Sequence, residues 1–600
     1  MCGISGFVSV SNMSNSETVI RKMNETIAHR GPDGEGYFVG RGFTFGHRRL
    51  SIIDLSDAGH QPMHYLNRYT ITYNGEIFNY RELKQELESK GYIFKTQTDT
   101  EVLMASYDCW GSECLNKFNG MWAFVIYDQV RNEFFISRDR FGKKPLYYSQ
   151  TKDAFVFSSD IKGILQFPGI DMQPNLPYLK RYLTLGAKEH LLETAFVGIY
   201  KFPHASFLIA KQEDLIGRIY PQIFWRVIPN LSREKVSSEK AKDYAQKYYE
   251  LLFDSVQLRL RADVKVGSAL SGGLDSSSIV YLVNQQLKAL GKSELQETFS
   301  SVYKSKGTEN CDESEYINLL ADFLKVNSNQ IEPKEEDIPS EHAKLILHME
   351  NPPESSCMSG WHTFKKVAET DVTVTLDGQG ADEQLAGYLG YLQTYLVSLS
   401  ISEFYKELPY YRNFLHTRKV IFNLAISNII RNIVGRKGYL FLFNTLLKKG
   451  RYADLNQALV DSTQTSLLNL IAWADRESMA FSIESRMPFM DYRLVEFLAS
   501  IPGCYKIHKG WTKYIARLAF DKKLPDEIVW RKDKMGWPIP EEHWFRGGLR
   551  EWFNNTREKS KLLGSLNQGK FTKNVSGLVE QVRELNIAVF EDVIVNQKNA

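Results

Sequence analysis

Hydrophobic and polar positions divide the chain into two textures. Up to about residue 210, apolar residues come in short runs separated by Gly, Asn, Asp and Pro: ISGFVSV, YFVG, FTFGHRRLSII, YTITYNGEI, MWAFVIYD, EFFISRD, PLYYS and FVFSS. Short runs rich in β-branched and aromatic residues, bounded by turn formers, predict strands. Two helical patterns, residues 81–90 (RELKQELESK) and 100–110, interrupt them, so this half reads as a layered α+β domain and not a pure barrel. Residues 219–239 (IYPQIFWRVIPNLSREKVSSE) carry two prolines followed by a polar, charged run and read as a linker. The domains are set at residues 2–215 and 241–600, with the linker at 216–240.

Beyond the linker the period changes. Residues 241–261 predict a long helix; VKVGSAL, a glycine-rich turn and SSSIVYLVNQQLKAL follow, with Ile279, Val280, Leu282, Val283 and Leu287 on one helical face. Strand, glycine turn and helix open a parallel α/β sheet whose ligand sits at the switch point. TFSSVY and DVTVTLDG are further strand candidates, and most of the chain after Gly387 reads as helix. There is no internal repeat and no low-complexity segment.

Composition sets limits more than a direction. With 43% hydrophobic, 24% charged and 13% aromatic residues, the 600-residue chain is of the soluble globular kind and can bury large cores. Lys and Arg number 74 against 71 Asp and Glu, a net +3, so no global field calls for nucleic acid. The longest apolar stretch, residues 420–434, is broken by Asn423, Ser427, Asn428, Arg431 and Asn432 and cannot supply the ~20 apolar residues of a span. No basic n-region opens the chain. The expectation is a cytoplasmic protein with no membrane partner. Six cysteines without a CxxC pattern suit a reducing compartment.

Cys109, Cys114, Cys311, Cys357 and Cys504 read as small hydrophobes or inert thiols; Cys2 differs by its place. Removal of Met1 would leave a free α-amine beside its thiol. An α-amine titrates near ~7.7–8.0 and a thiol near ~8.5, so the amine can accept the thiol proton and activate the nucleophile without a histidine.

The segments MCGISGF, HRGPDGEG, GHRRLSIIDLS, YNGEIFNY, TDTE and SRDRFGKKPLYY resemble, in order and spacing, the N-terminal-nucleophile (Ntn) glutaminase domain of class II glutamine amidotransferases. The resemblance implies that Cys2 is the nucleophile and that Asn74 and the Gly75 N–H stabilise the oxyanion. Arg49 would grip the glutamine α-carboxylate and Asp99 the α-ammonium; Leu50, Ser51, Ile52, Ile53 and Glu76 would line the pocket. A fork of guanidinium N–H groups suits a carboxylate in a way that lysine cannot match. Taken alone, Asn74-Gly75 would read as a hairpin turn.

After the linker, Leu270-Ser271-Gly272-Gly273-Leu274-Asp275-Ser276-Ser277 stands between strand and helix. Backbone N–H groups of such a turn, with the helix dipole, cradle anions. A Walker A loop needs GxxxxGK[ST], and no Lys is present here. SGGLDSS resembles the pyrophosphate loop of N-type ATP pyrophosphatases, which implies ATP contacts from Leu270, Ser271, Gly272, Gly273, Asp275, Ser276 and Ser277, joined by Ser301, Asp377, Gly378 and Lys534. Asp275 and Asp382 would hold Mg²⁺, a hard ion that favours carboxylate and phosphate oxygens. LDGQGADE (376–383), ESRMPFMD (484–491) and WRKDKMGWP (530–538) extend the resemblance, end to end, to glutamine-hydrolysing asparagine synthetases. Many relatives carry Glu at the position of Gln379, and glutamine cannot act as a base.

The family implies that ammonia from glutamine displaces AMP from an adenylated carboxylate, passing between the sites by an internal channel that Arg30 and SRDRFGKKP would flank. It also carries an expectation of a homodimer. L-aspartate is the first acceptor considered. Residues 348–360 (HMENPPESSCMSG) contain no Arg to clamp an α-carboxylate, so another carboxylate, a sugar uronate or a secondary-metabolite intermediate, stays open, as does an adenylating cyclase of the β-lactam synthetase type.

Overall fold

The computed structural model describes residues 2–11, 13–289, 291, 295–414, 417–532, 538–566 and 577–596. The first half contributes β1 (Gly3–Ser9), β2 (Gly34–Gly40), β3 (Phe43–Arg49), β4 (Met63–Tyr65), β5 (Tyr69–Ile77), β6 (Gly120–Asp128), β7 (Glu133–Arg138), β8 (Tyr147–Gln150), β9 (Ala154–Ser158), β10 (Ile199–Lys201), β11 (Ser206–Ala210) and β12 (Gln222–Ile223). They form two antiparallel sheets of order β10-β8-β9-β1-β3-β2 and β12-β11-β7-β6-β5-β4.

The alternation of side chains along each strand explains the layering. Ile4 and Val8 of β1 and Ala123 and Val125 of β6 point between the sheets and meet Phe45, Phe157, Ile136 and Leu208. Each of the larger of these buried side chains contributes about 1.5–3 kcal/mol. The residues between them point outward: Phe7 packs with Val19, Ile20 and Met23 of the helix Ser16–Thr26, and Phe124 and Ile126 pack with Val102 and Leu103 of Asp99–Trp110. Helix, sheet, sheet and helix thus stack in four layers. Central strands are covered on both faces, which is why MWAFVIYD is apolar throughout instead of alternating. The helices expected at 81–90 and 100–110 are Tyr80–Glu88 and Asp99–Trp110. Ser16–Thr26 and Leu176–Leu185 are additional; only three apolar residues of the former are buried, a stripe too sparse to stand out in NMSNSETVIRKMNET.

The second half holds a parallel sheet of β13 (Lys265–Ala269), β14 (Glu297–Ser301), β15 (Asn327–Ile331), β16 (Val372–Leu376) and β17 (Glu484–Arg486), in the order β15-β14-β13-β16-β17. Neither β15 (NSNQI) nor β17 (ESR) has an apolar signature; β17 is nonetheless fully buried. Strand order reverses between β13 and β16, so the turns leaving their carboxyl ends are neighbours. Between the halves, Gln222–Ile223 pairs with β11, the Asn230 N–H donates to the Ala499 carbonyl at 2.8 Å, and the helix Ser238–Arg259 follows.

Candidate active sites

Cys2 lies just before β1 and beside β5. Its backbone N–H donates to Asn74 Oδ1 at 3.1 Å, and its thiol is 3.9 Å from the Leu50 carbonyl. Burial pushes the Cys2 thiol up from its ordinary value. Asn74 is wholly buried within β5, opposite Ala123, and its Nδ2 has no hydrogen-bond partner among the described residues. Asn74-Gly75 is therefore interior to a strand and not a turn. Gly75 is required by crowding: a Cβ there would lie 2.2 Å from the Met121 carbonyl oxygen.

Asp99, at the start of its helix, accepts hydrogen bonds from Tyr73 Oη and the Ile77 N–H, both at 2.8 Å. Burial nevertheless pushes it up to about 6. Glu76 is buried too, well above the usual carboxylate range for the same reason, and lies 3.9 Å from Arg486 Nη2. Arg49 ends β3 and donates to the carbonyls of Ser56 (2.7 Å) and Asp54 (2.5 Å). One bond from each terminal nitrogen leaves three N–H groups of the guanidinium for a ligand. Leu50, Ile52 and Ile53 of the intervening loop are buried, and the Ser51 N–H donates to Asp33 at 2.7 Å. Asp263, just before β13, accepts the Asp54 N–H and donates its own N–H to the Ile52 carbonyl, both at 2.8 Å. The loop that frames Cys2 is thereby fastened to the second half.

The other cluster forms where β13 and β16 end. The turn after β13 folds on itself: the Ser271 N–H donates to Ser276 Oγ at 3.1 Å, and Gly272 takes φ +73°. Gly378, after β16, packs so closely that a Cβ would sit 3.3 Å from the Ser276 nitrogen. Ser271, Gly273, Asp275 and Ser276 line one cavity with Asp377, Gly378, Gln379 and Asp382. Leu270, Gly272, Ser277 and Ser301 are not on its wall; the Ser301 hydroxyl is engaged by the Ser359 carbonyl at 2.8 Å. Lys534 lies outside the described residues.

Two residues that the motifs did not single out complete this cavity. Lys513 Nζ bridges Asp275 and Asp382, 2.6 Å from the latter. Burial alone would lower its ammonium, but the two carboxylates outweigh that and hold it above its ordinary value. A lone Lys between Thr512 and Tyr514 carries no sequence signal. Glu477, on the helix Ser466–Met479, is pushed up to about 8 by burial and by the nearby charge of Asp377; the Cys357 thiol hydrogen-bonds it, and Gly360 leaves the room its carboxylate occupies.

The same helix reaches both sites. Asp475 accepts Arg30 Nη2 at 2.7 Å and lies 3.5 Å from Lys144; Arg30 also bonds Asp160 at 3.0 Å, while its Nε is 3.4 Å from the Cys2 carbonyl. Two positions on, about 200° around the helix, Glu477 faces the cavity. Arg30 and the SRDRFGKKP segment thus stand at the boundary, with Lys143 Nζ 3.4 Å from the Met490 carbonyl.

A family model described as "Glutamine amidotransferase domain" matches residues 1–223, and one described as "Asparagine synthase" matches residues 247–584. The chain is 30% identical to asparagine synthetase [glutamine-hydrolyzing] 1 of Bacillus subtilis (strain 168), covering 94% of this chain and 90% of that one. It belongs to the glutamine-hydrolysing asparagine synthetase family. It is also 29% identical to asparagine synthetase 3 of the same organism, covering 94% of this chain and 92% of the relative, and 27% identical to amidase chry2 of Gibberella zeae, covering 92% and 91%.

A divalent cation fits the family's second site in this chain. Two hard carboxylates, Asp275 and Asp382, already converge on one positive charge. Among the described residues no third His, Cys, Asp or Glu joins them, which suits Mg²⁺, usually held by one or two carboxylates plus substrate phosphates.

Proposed function

We propose that the protein hydrolyses glutamine at Cys2 and uses the ammonia to amidate a carboxylate activated by ATP, with L-aspartate as acceptor and L-asparagine, L-glutamate, AMP and diphosphate as products. The observation that carries this reading is the link itself: Arg30 joins the Cys2 carbonyl to Asp475, on the helix that also carries Glu477 into the ATP-side cavity.

In the first half-reaction the Cys2 amine, freed of Met1, would take the thiol proton. Attack on the glutamine amide carbon forms a C–S bond, and the oxyanion would meet Asn74 Nδ2 and the Gly75 N–H. The unpartnered Nδ2 supports this role, because a donor already aimed needs no reorganisation. The nitrogen leaves as ammonia and water cleaves the thioester. Arg49 and Asp99 would hold the α-carboxylate and α-ammonium, and Leu50, Ser51, Ile52, Ile53 and Glu76 the remaining wall.

In the second, Ser271, Gly273 and Ser276 of the cavity wall would cradle the pyrophosphate leaving group, with Gly272 and Ser277 shaping the turn behind them, Asp275, Asp382 and Lys513 around it, Asp377 and Gly378 near the nucleoside, and Leu270 and Ser301 behind that wall. Mg²⁺, held by Asp275 and Asp382, would neutralise phosphate charge. Ammonia attacks the acyl-adenylate, AMP leaves, and the new nitrogen must lose a proton. Gln379 cannot take it; Glu477, on the cavity wall and pushed up to about 8 by burial, is the carboxyl we assign to it.

A second acceptor class is favoured by one observation. Ser355, Cys357, Ser359 and Gly360 supply the cavity wall from residues 348–360, and none is cationic. Lys513, Arg517 and Arg531, the cavity's cations among the described residues, are bound to Asp275 and Asp382, to backbone carbonyls and to Glu313. A uronate or another carboxylate needs no α-carboxylate clamp.

Two measurements test the reading. Cys2→Ala is expected to abolish glutamine-dependent amidation, by at least about a thousandfold, while ammonia still supports it; equal loss with both nitrogen sources would overturn the first half. Aspartate is expected to accelerate pyrophosphate release from ATP. A flat response to aspartate with a response to glucuronate moves the acceptor to the second class.

A further inference from the structure

Residues 420–434 fail as a membrane span because polar residues interrupt them, and the fold gives those polar residues an unusual place. They lie in the helix Arg418–Leu440, whose buried residues before Gly435 are Leu424, Ser427, Asn428 and Arg431. Asn428 Nδ2 donates to the carbonyls of Leu396, Val397 and Leu399 at 2.8–3.2 Å. Arg431 bonds Asp454 at 3.0 Å, and Ser427 accepts from Arg451 at 2.7 Å. The inward face is mixed: Leu424 is buried, and Val420, Ile421, Ala425 and Ile430 pack against the same core beside these polar anchors. Phe422, Ile426, Ile429 and Ile433 are 65%, 40%, 36% and 75% exposed. At about 100° per residue these four fall within a sector of about 60°. Helices on globular proteins ordinarily bury such a stripe; here it is left facing outward, opposite the face that packs on the core. Past the kink at Gly435, Phe441, Leu446 and Leu447 continue the exposed apolar surface.

The charge around the stripe is one-sided. Residues 408–453 contain Arg412, Arg418, Lys419, Arg431, Arg436, Lys437, Lys448, Lys449 and Arg451 and not one Asp or Glu, in a chain whose net charge is only +3. Arg431 and Arg436 pair with Asp454. Arg418, Lys419, Lys437, Lys448 and Lys449 are exposed.

We propose that this face docks on an anionic lipid bilayer, the Phe422–Ile433 stripe entering the headgroup boundary and the surrounding cations meeting lipid phosphates. An apolar stripe flanked by Lys and Arg is the pattern of helices that lie in the interface plane, and a negative leaflet attracts such a cluster. The bilayer supplies both chemistries in one surface. A second copy on the same face would set the cations against their own images, and nucleic acid offers nothing to a stripe of Phe and Ile. The inference concerns attachment to a surface, not spanning, and stands independently of the acceptor.

Sedimentation with vesicles tests it. Full-length protein is expected to sediment with phosphatidylcholine vesicles that contain phosphatidylglycerol, not with phosphatidylcholine alone. A Phe422→Ser, Ile433→Ser double variant is expected to bind about tenfold or more weakly, with an unchanged unfolding midpoint because both positions are exposed. Raising salt from about 0.1 to 0.5 M is expected to weaken binding as well. Protein left in the supernatant with both vesicle types, or a double variant that binds like the parent, would overturn the proposal. A dimer of the parent that the variant loses would assign the face to a second copy instead. Retention on poly-glutamate without vesicle binding would assign it to an acidic protein.

Discussion

The two sites of this chain are built in opposite ways. Around Cys2 the walls are strands and a helix start: Asn74 and Gly75 sit inside β5, Asp99 is fixed by two hydrogen bonds, and Arg49 is already held by two carbonyls. Around Asp275 the walls are turns leaving the ends of β13 and β16, and the order comes from charge, with Lys513 drawn between two carboxylates. The difference matches the anions that each site would meet. One small oxyanion is served by neutral donors already in place. A pyrophosphate carries several charges and needs cations whose own charge is balanced until it arrives.

That contrast predicts which losses are shared and which are private. Lys513→Met is expected to remove amidation with glutamine and with ammonia alike, by about a thousandfold, since the adenylation that a phosphate clamp serves is common to both nitrogen sources. Steady-state rates with each nitrogen donor decide it, and a variant that still uses ammonia would break the comparison. Asn74→Ala is expected to cost about a hundred- to a thousandfold in glutaminase kcat, with KM for glutamine nearly unchanged and ammonia-dependent amidation intact. A rise in KM alone would make Asn74 a binding residue.

Glu477→Gln sharpens the ATP side. Adenylate formation, read as acceptor-dependent exchange of pyrophosphate into ATP, is expected to persist, while amide formation falls about a hundredfold. Equal loss of both would mean that Glu477 only shapes the cavity. In the double variant Gln379→Glu, Glu477→Gln, partial recovery is expected, because the carboxyl would return to the same cavity from another wall.

Much of this was legible in the sequence where function needs a run of residues. SGGLDSS states a strand, a turn and a helix at once, and the structure supplies each as β13, its turn and the helix Leu274–Ala289. The family and the layered α+β and parallel α/β architecture were likewise readable from runs. Single residues were not. Lys513 and Glu477 reach the cavity from helix ends and turns distant in the chain, so nothing in their neighbourhoods marks them. Asn74-Gly75 taken alone would read as a turn because Asn-Gly favours φ > 0 locally, but the run YTITYNGEI predicts a strand, and both residues are in β5. β17 is three polar residues buried by their partners: Arg486 donates to the Arg259 and Arg261 carbonyls and to Glu484. Residues 420–434 carried an apolar signal and were read by length, whereas their orientation, with Ser427, Asn428 and Arg431 buried and Phe422, Ile426, Ile429 and Ile433 outward, exists only in the fold.

The smallest expected effect separates the sites by pH. Asp99 is raised to about 6 by burial, against the pull of the Ile77 N–H and Tyr73 hydroxyl. It must be ionised to pair with the α-ammonium of glutamine. Glutaminase kcat/KM is therefore expected to show a step as pH rises through about 6, below the separate rise near ~7.7–8.0 that the Cys2 α-amine brings. Stability runs the other way. A folded-state pKa above the unfolded value near ~3.9 favours the protonated carboxyl on folding. This contribution is fully present below the unfolded value and is lost as pH rises through about 6. Asp99→Asn is expected to remove both dependences, raising the glutamine KM at all pH values and leaving ammonia-dependent amidation unchanged. A parent profile with no step near pH 6 would show that the carboxylate is ionised throughout, held by the approaching substrate or by Arg486, whose charge also lowers it. The strand-built site would then owe its order to charge as well, and the contrast with the turn-built site would narrow to geometry alone.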